Sequence, residues 1–507
     1  MKKSDKINPS ATQTTIQFLG FPMAKRKRKR KRIESGEIVL PEAIIHHIQS
    51  FMTGKEAAQT SVLSKHWYSA WSTRPNLDFD NRDFPSRGSK KCDDRLKDFA
   101  KKTIQRYEEL NLTIESIGLR VDWWQKRRLS HFNELVLNAI QMGSTDLKLH
   151  LMDPTTFFSL PKELLGSENL VRLSAIGCTI DLGVNGKVSW SKLKSLSLQR
   201  VYFEGDVICD IILSCPLIEE LLLSDCFFKV HVSNNVPIRR SRMLILNANL
   251  FELRKLKCLS LKKVKIDTSF FCDLSSKFPC LKDLTVDDCS GYKAVQISSP
   301  SLERISFVVQ KKMLKASFEV PCIRKFTFTG LVLPRLSFGT SSFVWKWESD
   351  ISITCSGNSH DRLTRSWFVK LKKFLVNLSP SRISLTFSVN INCQDSFRYI
   401  QGLAKPPIVD NLRVLIGARS LDSCALLNGL FLSCRPKLIS FTGGKADNDF
   451  LKLLCERLLG HLRDIKKANV EFYDENLSEW GLPLPLKTLL DGYPENKQSI
   501  RLKLIWG

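Results

Sequence analysis

Between residues 170 and 331 one pattern of apolar residues recurs, and it constrains the fold more than any other feature of this chain. The pattern is apolar-x-x-apolar-x-apolar-x-x-apolar, with cysteine accepted at the last position. In chain order its occurrences are Leu170, Leu173, Ala175, Cys178; Leu193, Leu196, Leu198, Val201; Ile218, Leu221, Leu223, Cys226; Leu256, Leu259, Leu261, Val264; Leu281, Leu284, Val286, Cys289; Leu302, Ile305, Phe307; and Ile323, Phe326, Phe328, Leu331. The alternation at its centre predicts a short strand with one buried face.

The spacing of these occurrences identifies the kind of repeat. Successive occurrences begin 23, 25, 38, 25, 21 and 21 residues apart, and the one long step has to accommodate the insertion at residues 230–242. Periods of about 20–29 residues are typical of leucine-rich repeats. One repeat cannot bury its apolar face alone, so neighbouring repeats must stack and share a core. We therefore predict an α/β fold with a leucine-rich-repeat solenoid, or horseshoe, over residues 111–441 and a C-terminal cap over residues 442–507.

The positions between the buried strand residues are predicted to face outward on the concave side of the sheet. These positions are Ser197, Gln199, Leu222, Ser224, Ser260, Lys262, Thr285, Asp287, Ser306 and Thr327. A target would contact these side chains. Their mixed polarity indicates no particular class of ligand.

Helical and strand patterns also flank the repeats. Predicted helices cover residues 93–110, 129–143 and 450–465, and predicted strands cover residues 117–121, 147–151, 383–387, 412–416, 470–472 and 500–504. Alternation of helices and strands ahead of the first clear repeat indicates that the same architecture begins early in the chain.

Ahead of the repeats, residues 40–80 have the pattern of three short helices. Pro41 suits a first helical turn, and Gly54 is predicted to end that helix. Thr53 and Glu56 have the spacing of a capping box for the second helix, and Ser64 can cap the third. An apolar stripe follows the helical period through Ile44, Ile48 and Phe51, widened by Ile45 and Met52.

This segment resembles the F-box of plant proteins. The resemblance is carried by Leu40 and Pro41, by the run Ser61–Lys65 ahead of Trp67, and by the closing residues 75–79. The segment departs from the family at Glu42, where aspartate is usual, and at residues 52–55, where Met-Thr-Gly-Lys replaces Leu-Pro-Thr-Lys. The irregular repeats, with the phrases CPLIEELLLSDC and FPCLKDLTVDDC, are similar to those of plant F-box proteins with degenerate leucine-rich repeats.

The resemblance implies a function and partners. In the family, the F-box docks on a Skp-type adaptor and through it on the cullin and RING subunits of an SCF-type ubiquitin ligase, while the repeats hold an unknown target protein for ubiquitination. The adaptor-binding face implied for this chain consists of Leu40, Pro41, Ile44, Ile48, Val62, Leu63 and Trp67.

Residues 1–32 carry +10 of the net charge of +26, and the remaining +16 is spread over the rest of the chain. The block Lys25, Arg26, Lys27, Arg28, Lys29, Arg30, Lys31 and Arg32 is unbroken. Such a block is typical of a nuclear-import signal, so we expect the protein in the nucleus, with the cytoplasm as a second location. No aromatic residue interrupts the block, which disfavours nucleic-acid binding by base stacking.

Neither catalytic nor cofactor-binding motifs occur in the sequence. The patterns G-x-S-x-G, H-E-x-x-H, G-x-x-x-x-G-K-[ST] and G-x-G-x-x-G are absent, and the 15 cysteines show no C-x-x-C spacing for zinc. We expect neither an enzyme nor a metal or cofactor site. No apolar run reaches the roughly 18 residues of a membrane helix and no signal peptide is apparent, so we expect no membrane partner and reduced, buried cysteines.

The predicted organisation has five parts: a basic, disordered tail (1–36), the F-box (37–80), a linker with a capping helix (81–110), the repeats and the cap. Two other functions stay open. The chain could be an interaction scaffold with no ligase role, or a basic nucleic-acid-binding protein, whose affinity would fall steeply with salt.

Overall fold

The computed structural model is a mixed α/β protein with many short strands. The structure describes residues 40–84, 89–122, 129–152, 158–183, 186–205, 207–228, 242–246, 253–272, 274–310, 315–330, 332–339, 346–356, 363–390, 405–416, 423–442, 465–474, 479–485 and 499–506, and also Leu454, Glu456 and Leu458. The chain divides into two compact units, residues 1–244 and residues 245–507. No helix in the described part of the chain is long and apolar enough to cross a membrane.

The first unit contains seven described helices and eleven strands. Its helices are α1 (Glu42–Ser50), α2 (Gly54–Thr60), α3 (Lys65–Thr73), α4 (Ser89–Glu109), α5 (Leu129–Gln141), α6 (Lys162–Leu165) and α7 (Ile208–Leu213). Its strands are β1 (Asn76–Asp80), β2 (Ser116–Asp122), β3 (Asp146–Met152), β4 (Phe158–Ser159), β5 (Arg172–Ile176), β6 (Cys178–Ile180), β7 (Ser195–Gln199), β8 (Tyr202–Phe203), β9 (Glu220–Ser224), β10 (Phe227–Phe228) and β11 (Arg242–Met243).

The second unit contains the remaining elements. Its described helices are α8 (Leu274–Lys277), α9 (Arg365–Val376) and α10 (Ser423–Ser433). Its strands are β12 (Ile245–Leu246), β13 (Cys258–Lys262), β14 (Lys265–Ile266), β15 (Asp283–Asp287), β16 (Ala294–Ser298), β17 (Arg304–Val309), β18 (Lys315–Glu319), β19 (Lys325–Gly330), β20 (Arg335–Phe338), β21 (Glu348–Ser356), β22 (Arg382–Asn390), β23 (Ile408–Ile416), β24 (Arg435–Thr442), β25 (Ile465–Asp474), β26 (Glu479–Trp480), β27 (Leu484–Pro485) and β28 (Ser499–Trp506).

Parallel pairing dominates both units. In the first unit β1, β2, β3, β5, β7 and β9 pair in that order, all parallel. In the second unit β13, β15, β17, β19, β21, β22, β23 and β24 also pair in that order. Antiparallel pairing joins β10 to β11 in the first unit. In the second unit it begins at β28, which lies between β24 and β25. The predicted strands at 383–387, 412–416, 470–472 and 500–504 are therefore confirmed.

The apolar residues of the recurring pattern form the core. Each one that the structure describes is buried, from Leu170 to Phe328, and only Leu331 lies outside the described residues, as does most of the insertion at 230–242. Equivalent residues stack in register: Leu173, Leu196 and Leu221 are paired across β5, β7 and β9. Full burial of such a side chain stabilises the fold by about 1.5–3 kcal/mol, so the stacked rows supply a large share of the stability.

Cysteine at the end of the pattern has a defined role. The Cys226 thiol donates to the Leu198 carbonyl at 3.4 Å, and the Cys289 thiol donates to the Leu261 carbonyl at 3.3 Å. Each acceptor belongs to the strand of the preceding occurrence of the pattern. A small apolar side chain with a weak donor therefore fills the core and also links neighbouring repeats.

The chain turns in the same way after several strands. Arg200, Asp225, Lys263 and Asp288 each follow a strand and have positive φ, between 48° and 52°. The Lys263 N–H donates to the Asp287 carbonyl at 2.8 Å, and the Arg200 N–H donates to the Ser224 carbonyl at 2.8 Å. The left-handed conformation thus directs the turn's N–H toward the next strand, at a steric cost that these side chains tolerate.

The three predicted helices at the start of the chain are present as α1, α2 and α3. The capping box forms: the Thr53 hydroxyl accepts from the Glu56 N–H at 3.3 Å, and the Thr53 N–H donates to the Glu56 carboxylate at 2.8 Å. This bonding holds the pKa of Glu56 below its usual value. Ser64 caps α3 as predicted. The prediction for Gly54 was wrong, because α1 already ends at Ser50 and Gly54 is the first residue of α2.

The residues after α3 are more regular than the linker predicted for them. Residues 76–80 form strand β1, which pairs with β2 in parallel register, with Leu77 opposite Ile117. Residues 81–84 were predicted to be linker, yet Asn81 and Phe84 are buried. The Phe84 ring lies 5.6 Å from the Phe99 ring of α4, so apolar packing orders this segment. Helix α4 begins at Ser89, ahead of the start predicted at residue 93.

The structure describes the other two predicted helices to different extents. The helix predicted at 129–143 is present as α5, which ends at Gln141. The helix predicted at 450–465 falls mostly outside the described residues. Leu454, Glu456 and Leu458 are helical, and Ile465 already belongs to β25.

Candidate adaptor-binding and target-binding surfaces

The three-helix module, α1 to α3, packs around a small core. Ala57, Ala58 and Trp71 form this core, and Met52 and Tyr68 pack against it. Ile45 is also fully buried.

Polar contacts fix α1 against α3. The Thr73 hydroxyl donates to the Glu42 carboxylate at 2.9 Å. The His46 ring nitrogen Nε2 lies 3.0 Å from the Ala70 carbonyl oxygen. Gln49, which is 1% exposed, donates from Nε2 to the Thr60 hydroxyl at 3.0 Å. These bonds join all three helices, so the module presents a defined surface.

The residues predicted to contact the adaptor lie on that surface. Val62 is 74% exposed, Leu63 is 65% exposed and Ile44 is 47% exposed, and Pro41 is also exposed. Leu40, Ile48 and Trp67 are half-buried. The module's own core uses none of these seven side chains, so an apolar face remains available to a partner.

One further residue belongs to this face. Phe51 is 78% exposed, and its ring packs edge-on against His47 with the centroids 5.0 Å apart. Its place in the apolar stripe of α1, three residues after Ile48, indicated that it shares the face, although it was not among the residues assigned to adaptor binding.

The module is attached to the sheet by direct packing. Leu77 and Phe79 of β1 are buried, and the Phe79 ring lies 6.1 Å from that of Phe99. The Arg106 guanidinium lies over the Trp71 ring at 5.7 Å. Burial lowers the pKa of Arg74, whose nearest carboxylate, Asp78, is 4.0 Å away. Apolar and cationic contacts from α4 therefore hold α3 and β1 together.

The predicted target-binding residues lie on the outward face of the parallel strands. Ser197 and Leu222 pair across β7 and β9. Nine of the ten residues are half-buried or exposed, in alternation with buried neighbours. Ser224 differs, because it is 7% exposed and its hydroxyl donates to Asp225 at 3.2 Å. The expectation that Ser224 faces solvent was wrong, since the adjoining turn covers this small side chain.

In the second unit the outward residues align in rows. One row runs through Ser260, Thr285, Ser306 and Thr327, which are paired in register. The row is therefore rich in hydroxyl groups that can donate and accept hydrogen bonds.

Ion pairs border this hydroxyl row. Lys262 binds Asp287 at 2.9 Å and Lys325 binds Asp350 at 2.6 Å, while Arg304 binds Asp283. The bond to Asp350 raises the pKa of Lys325. Pairing of this kind neutralises most of the charge along the border and leaves the surface there close to electrically balanced.

Within the described ranges, no group of three or more His, Cys, Asp or Glu side chains is placed to hold a metal ion. The basic block Lys25–Arg32 lies outside the described residues.

Comparison with known proteins relates the chain to one group. A family model described as "FBD-associated F-box protein At5g56370, LRR repeats" matches residues 121–248. Three relatives come from Arabidopsis thaliana. The "Putative F-box/LRR-repeat protein At5g41840" is 28% identical over 39% of this chain and 40% of its own length. The "F-box protein At3g59000" is 32% identical over 37% of this chain and 39% of its own length. The "F-box/LRR-repeat protein At4g14096" is 33% identical over 37% of this chain and 39% of its own length.

These matches confirm the resemblance predicted from the sequence. They span about two fifths of the length of each relative. The family model covers only repeats, from the end of β2 to just beyond β12. The similarity to F-box/LRR-repeat proteins therefore rests on part of the chain.

Proposed function

We propose that this chain, which is similar to F-box/LRR-repeat proteins of Arabidopsis, is the substrate-recognition subunit of an SCF-type ubiquitin ligase. The three-helix module is an F-box that docks on a Skp-type adaptor. The parallel strands belong to a leucine-rich-repeat solenoid that binds a target protein. The chain itself carries no catalytic step, because other subunits transfer ubiquitin.

The observation that supports adaptor binding is the uncovered apolar face of the module. Ile44 lies on α1, Phe51 directly follows α1, and Val62 and Leu63 lie in the turn between α2 and α3. All four side chains are between 47% and 78% exposed. Apolar groups concentrated on one face of a soluble protein are typical of an interaction site. Strand β1 joins the three-helix module to the parallel strands of the first unit, which carry Ser197 and Leu222. This connection supports the proposal that one chain binds both the adaptor and a target.

Such an arrangement accelerates ubiquitination by proximity alone. A receptor that holds both the adaptor and the target raises the effective concentration of target lysines near the charged conjugating enzyme. Direct packing between α3, α4 and β1 reduces the orientations that the target can sample. In this proposal the chain positions the target relative to the adaptor and supplies no reactive group.

The test is purification of the full chain from plant cells, followed by mass spectrometry of the proteins that accompany it. The variant Val62→Ser with Leu63→Ser removes two exposed apolar side chains. We expect adaptor and cullin peptides to fall to background in the variant while other partners remain. The matched control is Leu213→Ala, which shortens a leucine that is 59% exposed on α7.

Two outcomes would count against the proposal. Adaptor and cullin absent from the wild-type sample would remove the ligase role and favour an interaction scaffold. Equal recovery of adaptor with the wild type and the double variant would show that this face is not the docking surface. Nuclear localisation directed by Lys25–Arg32 is a separate part of the proposal and is tested independently below.

A further inference from the structure

The last strands of the second unit carry a row of charged and hydroxyl side chains that differs from the rest of the sheet. In register across β22, β23, β24, β28 and β25 lie Thr386, Arg413, Ser440, Arg501 and Glu471. Residues paired in register lie on one face of a sheet, and the flanking residues of these strands are buried on the other face. The row is therefore outward-facing.

Arg413 stands out among the cations of this face. Its partners in register are Thr386 and Ser440, neither of which is acidic. In the part of the chain that the structure describes, no carboxylate lies within ion-pair distance of Arg413. Lys437, one strand away, is bound to Asp410 at 2.8 Å. An exposed guanidinium surrounded by hydroxyl groups is ready to accept an external anion.

A second guanidinium lies on the other side of Ser440. Arg501 is two strands from Arg413, so their backbones are about 10 Å apart. The Arg501 guanidinium carbon lies 3.9 Å from the centroid of the Trp480 ring, which limits its freedom. Arg413 and Arg501 therefore flank one serine hydroxyl, with one guanidinium already fixed in place.

The charge of this patch is positive. Glu471 is 4% exposed and is held by Lys503 at 2.5 Å, with Arg501 farther away at 3.7 Å. Three cations, Arg413, Arg501 and Lys503, thus face one carboxylate, which gives a local net charge of +2. Along β13 to β21, by contrast, the cations Lys262, Arg304 and Lys325 each have an acidic partner.

We infer that the patch of Arg413, Ser440 and Arg501 binds an acidic segment of the target protein, with an aspartate or glutamate carboxylate placed between the two guanidiniums. This inference rests on the proposed function and narrows the class of target. The two arginines supply charge-assisted N–H donors, and Ser440 supplies a hydroxyl donor beneath the carboxylate. Complementary charge also accelerates the encounter of the two proteins.

The experiment measures fluorescence anisotropy of a labelled peptide that alternates glutamate and glycine, added to the full chain at about 0.15 M salt. The reference peptide has glutamine in place of glutamate. We expect the glutamate peptide to bind at least tenfold more tightly. Arg413→Gln should weaken that binding about tenfold, and Arg413→Lys should weaken it less, because the charge remains but the fork of donors is lost.

The matched control is Lys437→Gln. It removes the same charge from the neighbouring strand, but from a cation that is already paired. Both variants retain the basic block at residues 25–32, so its contribution cancels in the comparison. We expect little change with Lys437→Gln. Circular dichroism checks that both variants fold, which is the expected result for exposed side chains.

Three results would overturn the inference. Equal weakening by Arg413→Gln and Lys437→Gln would mean that only diffuse charge acts. Binding that depends on Arg413 but is seen only with a phosphoserine peptide would show that the ligand of this patch is a phosphate and not a carboxylate. No preference of the wild type for glutamate over glutamine would remove the site. Adaptor pull-down with the same samples separates these results from a failure of the proposed function, because Arg413→Gln leaves the adaptor face unchanged.

Discussion

The phenol of Tyr107 donates a hydrogen bond of 2.7 Å to the main-chain carbonyl of Arg74. Tyr107 is fully buried in α4, and Arg74 is the C-cap residue that directly follows α3. This single bond satisfies a carbonyl that the helix leaves without a partner and ties the three-helix module to the helix that packs behind it.

We expect Tyr107→Phe to lower the free energy of unfolding by about 1–3 kcal/mol, because the buried Arg74 carbonyl loses its donor. Urea unfolding monitored by tryptophan fluorescence measures the change. Tyr68→Phe is the matched control, since the Tyr68 hydroxyl has no hydrogen bond among the described residues. Equal losses in the two variants would show that the Tyr107 bond contributes nothing specific.

The contribution of Tyr107 to the unfolding free energy should depend on pH, and Tyr107→Phe should remove that dependence. Burial raises the pKa of Tyr107, and Arg106 and Arg74 oppose this in part. A phenol whose pKa is higher in the folded state stabilises the fold below its unfolded pKa of about 10, and this contribution is lost as the pH rises beyond that value. The difference in unfolding free energy between wild type and Tyr107→Phe should therefore shrink above about pH 10.

Replacing both Leu40 and Pro41 by alanine should abolish adaptor binding. A well-packed interface leucine contributes more than about 1–2 kcal/mol, which is roughly tenfold or more in affinity. Both side chains are at least partly exposed, so the unfolding free energy should change little. Pull-down with recombinant adaptor gives the readout, and target binding should survive, so that the variant protects the target from degradation.

Retained adaptor binding in this double variant would contradict the assignment of the face. Loss of adaptor and target binding together would mean that the module and the strands fold as one unit. This second outcome is physically reasonable because β1 pairs with β2, so unfolding of α1 to α3 can disturb the sheet through residues 74–80.

Three core cysteines should resist labelling in the native protein. Burial raises the pKa of Cys178, Cys226 and Cys289 to about 12 in each case, so almost no thiolate exists at pH 8. Cys272 and Cys280 are exposed and should react within the same sample. Iodoacetamide labelling followed by peptide mass spectrometry distinguishes the two groups, and denaturation should make all five reactive. Rapid native labelling of the three core thiols would refute the repeat register.

Gly429→Ala should destabilise the second unit. A β-carbon at Gly429 would lie 2.2 Å from the ring of Phe368, which is fully buried in α9. Overpacking of this kind costs about 1–3 kcal/mol. Gly166→Ala is the control, because its β-carbon would meet no atom closer than 3.6 Å. Urea denaturation compares the two, and an unaffected Gly429→Ala protein would show that α9 and α10 can separate without cost.

Replacing Lys25–Arg32 by alternating serine and glycine should move a fluorescent fusion from the nucleus to the cytoplasm. Clusters of basic residues are read by import receptors, and a chain of 57.9 kDa plus a tag passes nuclear pores slowly by diffusion. Confocal imaging of the nuclear fraction measures the shift. An unchanged distribution would exclude this block as the import signal.

Sequence periodicity predicted the parts of the fold that depend on local alternation. Leu196 and Leu198, for example, are buried on one face of β7, and Ser197 between them is half-buried on the other face, as the period of a strand requires. Helix caps at Thr53 and Ser64 were predictable for the same reason, since the interacting groups are three residues apart. The assignment of Val62 and Leu63 to a candidate adaptor face followed from the family resemblance, and both side chains are exposed in the turn between α2 and α3.

Features that depend on distant pairing could not be predicted. Strand β1 alternates polar and apolar residues, but it has only five residues and no turn connects it to its partner strand. Ile117 of β2, which pairs with Leu77, lies 40 residues farther along the chain, so the pairing could not be predicted locally. The row Arg413, Ser440 and Arg501 exists only because irregularly spaced strands pair in one register. The left-handed turns at Arg200 and Lys263 carry no glycine that would have indicated them.

Strand β1 also determines how the chain can be divided. A fragment that begins after residue 80 would leave β2 as an edge strand with unpaired N–H and carbonyl groups along Ser116–Asp122. Exposed edges of this kind recruit strands from other molecules and promote aggregation. Soluble expression of the repeats alone therefore calls for a boundary before Asn76. The same dependence means that recombination between related genes at the end of the helical module would produce misfolding chains unless the exchanged segment carried its own version of β1.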